Sequence, residues 1–377
     1  MKVDFSGEDV SRVTKFDTLN YHVLESMDDL VRIIDLEGNI IYENTAMSRT
    51  GDKISLGVNC CKRNEEGHAL QCISEISKNQ KRSISKEIYQ KDKIYSAKSS
   101  PVYNEMGEVI ALVEVFRDIT VAKRIQIELF NANKKINDEL ILARNIQRSI
   151  LPRKKIFEAL VFDYAYIPSG NLSGDIFDII EIDESKLGIY IADVVGHGIS
   201  ASIMTMFIRQ TMRNILLEKN YLSPSDTMLE LKSRFSELHL EPSQYFTILY
   251  AVVDMEKNEM TYVNAGHNSR PLMFNNQNIA FLQNRGKFIS NIFPDEAYHE
   301  KKVDILPGYR FLFYTDGLLE TANKAGEFYG EKNLMRWVKK NRGRKNFIEA
   351  LVRELNAYRW LEQNDDIALL LMDVRKG

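Results

Sequence analysis

The feature that most constrains the fold of this chain is residues 119–151, a stretch without glycine or proline. Apolar side chains recur through it at steps of three and four residues, from Ala122 to Ile150. This spacing predicts a long amphipathic helix with a coiled-coil stripe, mildly irregular near Ile136 and ended by Pro152. Since a chain of 377 residues is about twice the length of a typical domain, we expect this helix to join two domains.

The linker helix, residues 119–151, has two interpretations. It packs against its own domain, or it pairs with a second copy of the chain in a parallel homodimer. We favour a homodimer formed through the linker and the N-terminal domain, because the segment is apolar on one stripe only and connects two domains.

The composition is that of an ordinary globular protein, with 44% hydrophobic and 27% charged residues. The 50 Lys and Arg residues nearly balance the 53 Asp and Glu residues, so the charge gives no overall attraction to nucleic acid or anionic membranes. The longest apolar runs, such as Ile367–Met372, are six residues, whereas a membrane-spanning helix needs roughly 20. The first residues lack the apolar core of a signal peptide. We therefore predict a cytoplasmic protein with no nucleic-acid or membrane partner.

Residues 15–118 are predicted to form a small α+β domain. Two short apolar runs within Leu30–Asn44 flank a turn at Glu37–Asn39, which indicates a hairpin, and further strand-like runs lie near the end of the segment. The segment resembles a PAS sensor domain, which implies a sensor without identifying its ligand. Three sets of residues carry the resemblance: Asp35–Gly38 with Asn44, Ser100–Val102 with Gly107, and Phe116–Thr120.

All three cysteines of the chain lie in this segment and form a cluster with one histidine: Cys60, Cys61, His68 and Cys72. These side chains could hold a metal ion such as zinc, an iron–sulfur cluster or a haem group. Their spacing matches no standard zinc finger, and adjacent cysteines rarely bind one metal ion together. A redox-sensitive thiol pair and simple buried cysteines are the alternatives.

Residues 152–377 alternate strand-like and helical segments, which predicts a layered α/β domain with a mixed or antiparallel sheet. Five apolar runs are typical of buried strands: Leu187–Ala192, Phe246–Val253, Met260–Val263, Phe311–Tyr314 and Ile367–Met372. Three segments are predicted to be helical: 200–219, 225–240 and 345–362.

Aspartates recur in this second domain beside glycine or at strand ends: Asp175, Asp193, Asp316, Asp365 and Asp366. Any one such aspartate is commonly a turn or cap residue. Together they supply the carboxylate ligands that Mg²⁺ or Mn²⁺ prefers, and two such ions can activate water for attack on phosphorus.

Six motifs in the C-terminal half appear in the order and spacing of one enzyme family. They are Ala143–Pro152, Ser173–Asp178, Asp193–Gly198 with Ser200–Met204, Asn264–Asn268, Tyr314–Gly317 with Glu320, and Asp365–Asp366. In this order they resemble the SpoIIE-type branch of the metal-dependent protein phosphatase 2C superfamily. The resemblance covers residues 143–377 and implies a protein phosphatase 2C-like α/β sandwich.

The resemblance also implies roles for individual residues. Asp193 would bridge two Mn²⁺ or Mg²⁺ ions, and the carbonyl of Val194 would add a ligand. Asp316 and Asp365 would complete the two metal sites. Asp175 would lie at their edge, reach metal directly or through water, and act with Asp193 in catalysis. Asp366 would lie beside Asp365 without being a ligand.

Other residues near these motifs are given structural roles. Gly196 and Gly198 are predicted to serve a tight turn between a strand and a helix. His197 and His267 are better explained by hydrogen bonding than by catalysis. Two departures from the family pattern point to altered loops near the substrate: Ser173 where the family has glycine, and Ser290–Asn291 where the family tends to have Leu-Gly.

The whole pattern predicts a serine/threonine phosphoprotein phosphatase whose activity is set by the sensor domain and the linker. It resembles bacterial regulators of partner switching, which implies a phosphorylated STAS-domain antagonist of an anti-sigma factor as substrate. The alternative is a catalytically silent scaffold that binds a phosphorylated partner or an anti-sigma factor. We favour the enzyme because Asp193, Asp316 and Asp365 are all present.

Overall fold

The structure is a computed structural model that describes residues 20–49, 73–90, 92–153, 156–196, 198–218, 222–283, 285–293 and 297–375. The chain divides into two compact units, residues 1–135 and 136–377. The predicted cofactor cluster lies outside the described residues, as does one of the two histidines that were assigned hydrogen-bonding roles. These are Cys60, Cys61, His68, Cys72 and His197.

The first unit contains a five-stranded antiparallel sheet in the order β2-β1-β5-β4-β3. Its elements are β1 (Leu30–Ile34), β2 (Ile40–Glu43), α1 (Thr45–Arg49), α2 (Ile73–Gln80), β3 (Ile84–Gln90), β4 (Lys93–Tyr103) and β5 (Val109–Asp118). The predicted hairpin is confirmed, because β1 and β2 pair around a turn in which Gly38 has a φ of 92°.

Asn44 forms a set of hydrogen bonds inside this unit. The buried Asn44 amide donates to the carbonyl oxygens of Leu24, Met27 and Asp29, and its side-chain oxygen accepts from the backbone of Val31 and Met47. One side chain thus joins the start of β1 to α1.

On the sheet itself, Arg32 lies opposite Glu114 in the β1–β5 register, and each side chain is 1% exposed. The guanidinium also lies over the Phe116 ring. A buried charge is tolerated here because it has an opposite charge as partner.

The predicted linker helix is confirmed as α3 (Thr120–Ser149). Much of its apolar surface is exposed in this chain, including Ile125, Leu129, Ile136 and Ile146. Near its end the environment changes, since Gln147 is only 1% exposed. The predicted coiled-coil pairing needs a second chain and stays a prediction.

The second unit is a sandwich of two sheets flanked by helices. Its strands are β6 (Ile156–Phe157), β7 (Leu160–Ile167), β8 (Asp175–Glu181), β9 (Lys186–Val194), β10 (Phe246–Asp254), β11 (Glu259–Ala265), β12 (Leu272–Phe274), β13 (Ile279–Phe281), β14 (Lys301–Asp304), β15 (Arg310–Tyr314) and β16 (Ile367–Val374). Its helices are α4 (Ile199–Glu218), α5 (Pro224–Ser236), α6 (Asp316–Glu320), α7 (Gly330–Asn341) and α8 (Phe347–Tyr358).

One sheet has the order β14-β11-β10-β9-β8 and the other β13-β12-β15-β16-β7-β6. Every pairing between these strands is antiparallel, which resolves the alternatives that the sequence left open. The five predicted strands are all present. Their apolar runs lack a polar face because β9, β10, β15 and β16 are buried almost throughout, packed on both sides.

Two predicted helices end earlier than their sequences suggested. The 225–240 segment is helical only to Ser236, since His239 takes a left-handed φ of 51°. The 345–362 segment is helical only to Tyr358, because Arg359 is extended and the next amide donates to the carbonyl of Ala322. In both cases the sequence pattern predicts a longer helix, but the backbone leaves the helical conformation earlier. None of the described helices is both long enough and apolar enough to cross a membrane.

Replacement of Leu370 by alanine tests the interior of the sandwich. Leu370 is fully buried, so the change leaves a cavity and should lower the free energy of unfolding by about 2–5 kcal/mol in urea titrations. Leu361→Ala is the matched control, because Leu361 is 71% exposed and its loss should change stability by less than about 0.5 kcal/mol. Equal destabilisation by the two variants would contradict this placement of the core.

Candidate active site

Aspartates from both sheets meet at one end of the sandwich. They come from the start of β8, the end of β9, the segment after β15 and the segment before β16: Asp175, Asp193, Asp316, Asp365 and Asp366. Antiparallel pairing brings these strand ends together, although the residues are far apart in sequence. The structure thus gathers the predicted site aspartates in one region.

Asp175 and Asp193 are directly opposite each other in the β8–β9 register. Side chains at opposed positions of neighbouring strands point to the same face, with Cβ atoms roughly 5 Å apart. Asp175 is 2% exposed and Asp193 is partly buried. Two carboxylates are therefore held close together in a poorly hydrated place.

Thr315 connects this pair to the second sheet. Its hydroxyl donates to Oδ2 of Asp175 at 2.7 Å and accepts from the backbone amide of Ala368 at 2.9 Å. The residue is fully buried and follows the last residue of β15. This hydroxyl fixes the orientation of Asp175 relative to β15 and β16.

Asp316 begins the short helix α6, and the next residue allows close packing. A Cβ atom at Gly317 would lie 2.0 Å from the carbonyl oxygen of Asp366, which no side chain could accommodate. Glycine at this position lets α6 lie directly against the backbone that precedes β16. The carboxylates of Asp316 and Asp365 are thereby placed in one neighbourhood.

Asp366 turns its carboxylate toward the backbone of a different loop. It accepts hydrogen bonds from the amide and hydroxyl of Ser169, at 2.6 and 2.9 Å, and from the amide of Gly174 at 2.7 Å. Its own amide donates to Asp365 at 2.8 Å. Asp366 therefore holds the segment that leads into Asp175, consistent with the non-ligand position predicted for it.

The environment disfavours negative charge on several of these groups. Burial and the nearby Asp316 and Asp365 raise the pKa of Asp193 to about 8. Burial and the charge of Asp193 raise the pKa of Asp175 well above its usual range. Burial, with Asp316 and Asp366 nearby, raises the pKa of Asp365 to about 6, and burial with Asp316 raises that of Glu320.

This donor set fits hard divalent cations. In the described part of the chain no Lys, Arg or His side chain forms an ion pair with Asp175, Asp193, Asp316 or Asp365. Carboxylates that raise one another's pKa without a cationic partner are the oxygen ligands that Mg²⁺ or Mn²⁺ prefers.

The carboxylate side chains do not by themselves form a complete metal-binding site. Among the residues that the structure describes, no three His, Cys, Asp or Glu side chains converge closely enough to hold a metal ion. Burial and mutual repulsion together raise the pKa values, and the repulsion also opposes closer approach of the carboxylates. Metal binding by Asp175, Asp193, Asp316, Asp365 and the Val194 carbonyl stays a prediction.

The turn after β9 and the neighbouring histidine match their predicted structural roles. Gly196 and Gly198 have φ values of 88° and 82°, a conformation that favours glycine. The buried His267 ring lies 3.0 Å from the carbonyl oxygen of Tyr314 and 3.3 Å from the Thr247 hydroxyl. Burial lowers the pKa of His267, so the neutral ring is favoured.

Two positions inside the recognised motifs have contacts that the sequence did not reveal. The Gln147 amide donates to the carbonyl of Ser173 at 2.8 Å and to the Thr205 hydroxyl at 3.2 Å, and accepts from the Ser173 amide. The Ser173 hydroxyl in turn accepts from the amide of Asp175. The end of α3 is thus bonded to the segment before Asp175 and to α4. The available signal was a polar residue on the apolar stripe of the helix, because Gln147 comes four residues after Ala143 and three before Ile150.

The raised pKa values predict how stability depends on pH without added metal. Between about pH 4 and pH 8 the folded protein retains a proton on Asp193 that the unfolded chain releases, so stability should fall as the pH rises through that range. Melting temperatures of metal-free protein from pH 5 to pH 8 should fall, and Asp193→Asn should flatten the slope.

Mn²⁺ should raise the melting temperature more at pH 8 than at pH 5, because the cation binds deprotonated carboxylates.

Asp304→Asn, at an exposed position on β14, is the control for the pH dependence in metal-free protein. It should keep the slope of melting temperature against pH that the unmodified protein shows. An unchanged slope in Asp193→Asn would contradict the assignment.

Comparisons with known proteins identify relatives of parts of this chain. Phosphoserine phosphatase RsbP of Bacillus subtilis is 31% identical over 185 residues, which are 48% of this chain and 45% of RsbP. Phosphoserine phosphatase RsbU of the same organism is 26% identical over 216 residues, 57% of this chain and 63% of RsbU. This chain therefore corresponds to only part of each relative.

The SiaA-PP2C domain of Pseudomonas aeruginosa superimposes with a TM-score of 0.57 at 23% identity, covering 65% of this chain and 99% of that domain. At that identity the likeness concerns the fold, which is a PP2C-like α/β fold in the C-terminal region. The sequence profile of the family Stage II sporulation protein E (SpoIIE) matches residues 183–375, about half of the chain. The chain belongs to the SpoIIE family.

Proposed function

We propose that this protein is a metal-dependent serine/threonine phosphoprotein phosphatase. The observation that carries the proposal is the group of buried carboxylates at one end of the sandwich, with the pKa of Asp193 raised to about 8 and that of Asp365 to about 6. Membership of the SpoIIE family and the likeness to two named phosphoserine phosphatases support the same activity.

In this proposal Asp193, Asp316 and Asp365 hold two Mn²⁺ or Mg²⁺ ions, with the Val194 carbonyl and Asp175 completing the site. Bound divalent cations would activate water and offset the charge that develops on the phosphoryl oxygens. Thr315 keeps Asp175 oriented through its 2.7 Å hydrogen bond.

The surrounding backbone would help to bind the phosphate group. Helix α4 begins at Ile199, directly after the glycine turn that follows Asp193, and has 20 residues. The amides at the start of such a helix are free to donate hydrogen bonds, and its dipole favours an anion there. The phosphoserine or phosphothreonine would therefore lie between this helix start and the carboxylates.

The proposed substrate is a phosphorylated STAS-like protein, and the proposed setting is partner switching in the cytoplasm. Support comes from the resemblance to partner-switching regulators and from the names of RsbP and RsbU. We propose that residues 15–118 are a PAS-like sensor, for which the five-stranded antiparallel sheet is support. A cofactor at Cys60, Cys61, His68 and Cys72 has no support among the described residues.

The linker would transmit the signal. Helix α3 carries an exposed apolar stripe suited to pairing in a homodimer, and its buried Gln147 bonds both to the segment before Asp175 and to α4. A change in helix pairing would therefore act on the position of Asp175 through a short chain of hydrogen bonds.

Asp193→Ala tests the catalytic assignment. Removal of the carboxylate should lower kcat/KM for a small aryl phosphate at least about a hundredfold in the presence of Mn²⁺, since metal ions supply several kcal/mol of transition-state stabilisation. Asp304→Ala, which removes an exposed carboxylate on β14, should keep full activity. Unmodified protein that binds Mn²⁺ yet turns over neither aryl phosphate nor phosphoserine peptide would favour the silent scaffold.

Ile136→Glu tests the linker. Ile136 is 55% exposed on the apolar stripe, so a charge there should weaken pairing of two α3 helices and change aryl phosphate turnover. Sedimentation of the full chain should detect the change in association. Asn137→Glu adds the same charge at the next position, off the stripe, and should alter neither quantity. Unchanged association and unchanged turnover in Ile136→Glu would refute the linker mechanism.

A further inference from the structure

A pocket of about 510 Å³ opens beside the catalytic carboxylates. One wall is formed by residues 321–328, which follow α6, and the other by residues 359–365, which follow α8. Gly317, Glu320 and Asp365 also line it. The pocket is thus continuous with the proposed active site.

Three of the residues that line this pocket have large apolar side chains exposed to solvent. Phe328 is 62% exposed, Trp360 is 59% exposed and Leu361 is 71% exposed. Lys324 lies 4.6 Å from the centre of the Trp360 ring, a cation–π contact. Exposed aromatic and aliphatic side chains grouped at the rim of a cavity are typical of protein-binding surfaces.

Hydrogen bonds hold both walls in place. The Trp360 amide donates to the carbonyl of Ala322 at 3.2 Å, and Ala322 forms a bridge with Phe328. The Gln363 side chain donates to the carbonyl oxygens of Ile167 and Asp365, at 2.7 and 2.6 Å. The loop that ends at Asp365 is therefore tied to β7 and to the facing wall, so the apolar side chains are presented on an ordered support.

Because the pocket adjoins the carboxylates, a peptide bound there would extend over it. An extended peptide advances about 3.3 Å per residue, so three residues on one side of a bound phosphoserine span about 10 Å. A phosphoserine at the carboxylates would place its neighbours over the adjoining surface, and Asp365 belongs both to that surface and to the site. An apolar residue next to the phosphoserine would contact Trp360 and Leu361.

We infer that this pocket binds an aliphatic or aromatic side chain of the phosphoprotein substrate, located within three residues of the phosphoserine. The inference rests on the proposed phosphatase function and adds a sequence preference to it. Burial of an aliphatic side chain against Trp360 and Leu361 would supply binding energy that a small aryl phosphate cannot use.

The first experiment compares peptide turnover by the full chain with Mn²⁺. The probes are nonapeptides of alanine and serine around a central phosphoserine, with one leucine placed in turn at each of the three positions on either side. At least one leucine peptide should exceed the leucine-free peptide about tenfold in kcat/KM. In Trp360→Ala and in Leu361→Ala this preference should disappear.

Leu306→Ala is the matched control for Leu361→Ala. Leu306 is 47% exposed and does not line the pocket, so its loss should leave the leucine preference and the turnover of aryl phosphate unchanged. Equal kcat/KM for all peptides with unmodified protein, or an undiminished leucine preference in both pocket variants, would overturn the inference.

A second experiment detects binding without turnover. The chain has two tryptophans, and Trp337 is buried, so Trp337→Phe leaves Trp360 as the single exposed reporter. The favoured leucine peptide should shift its emission to shorter wavelength, whereas the leucine-free peptide should not. A shift without any turnover would refute the phosphatase and keep the pocket, while turnover without a shift would refute the pocket. If the Trp360 emission shifted with protein concentration in the absence of peptide, the surface would be assigned to a second copy of the chain. That result would overturn the inference.

Discussion

Repulsion among buried carboxylates is the constraint on which the second unit depends. Asp175 and Asp193 are opposite each other on neighbouring strands, and Asp316 and Asp365 lie in segments that adjoin strands of the other sheet. Burial, together with the charges of Asp316 and Asp365, raises the pKa of Asp193 to about 8. The sandwich must therefore supply enough apolar burial elsewhere to hold an unfavourable cluster at its end, and the almost completely buried strands β10 and β16 do so.

The carboxylate cluster is held by neutral donors. Thr315 bonds to Asp175, and Asp366 is bound by the amide of Gly174 and by Ser169. Neutral hydrogen bonds orient a carboxylate while leaving its charge uncompensated, which suits the proposed binding of a cation. Through Ser173 the same segment is bonded to Gln147 at the end of the linker helix. The structure thereby connects the end of α3 with Asp175 by a few hydrogen bonds.

Much of the fold could be predicted wherever the local pattern was long and regular. The stripe from Ala122 to Ile150 gave the 30-residue helix, and the apolar run at Ile367–Met372 gave a buried strand. Helix ends were predicted poorly after Ser236 and Tyr358. The Trp360 amide donates a hydrogen bond to the carbonyl of Ala322, and the sequence around Trp360 does not indicate this partner. This tertiary contact ends α8 and joins the two walls of the substrate pocket.

The sequence by itself determined the types of element and the identity of the candidate residues, because hydrophobic period and motif order are local properties. It placed Asp193 at the end of a strand and Asp365 before another. Only the tertiary structure decided that all strands of the sandwich pair antiparallel, that Thr315 reaches Asp175 across 140 residues of sequence, and that Trp360 and Leu361 lie beside Asp365. These relations depend on which strand ends and loops meet in space, and sheet pairing and side-chain packing fix that only when the chain has folded.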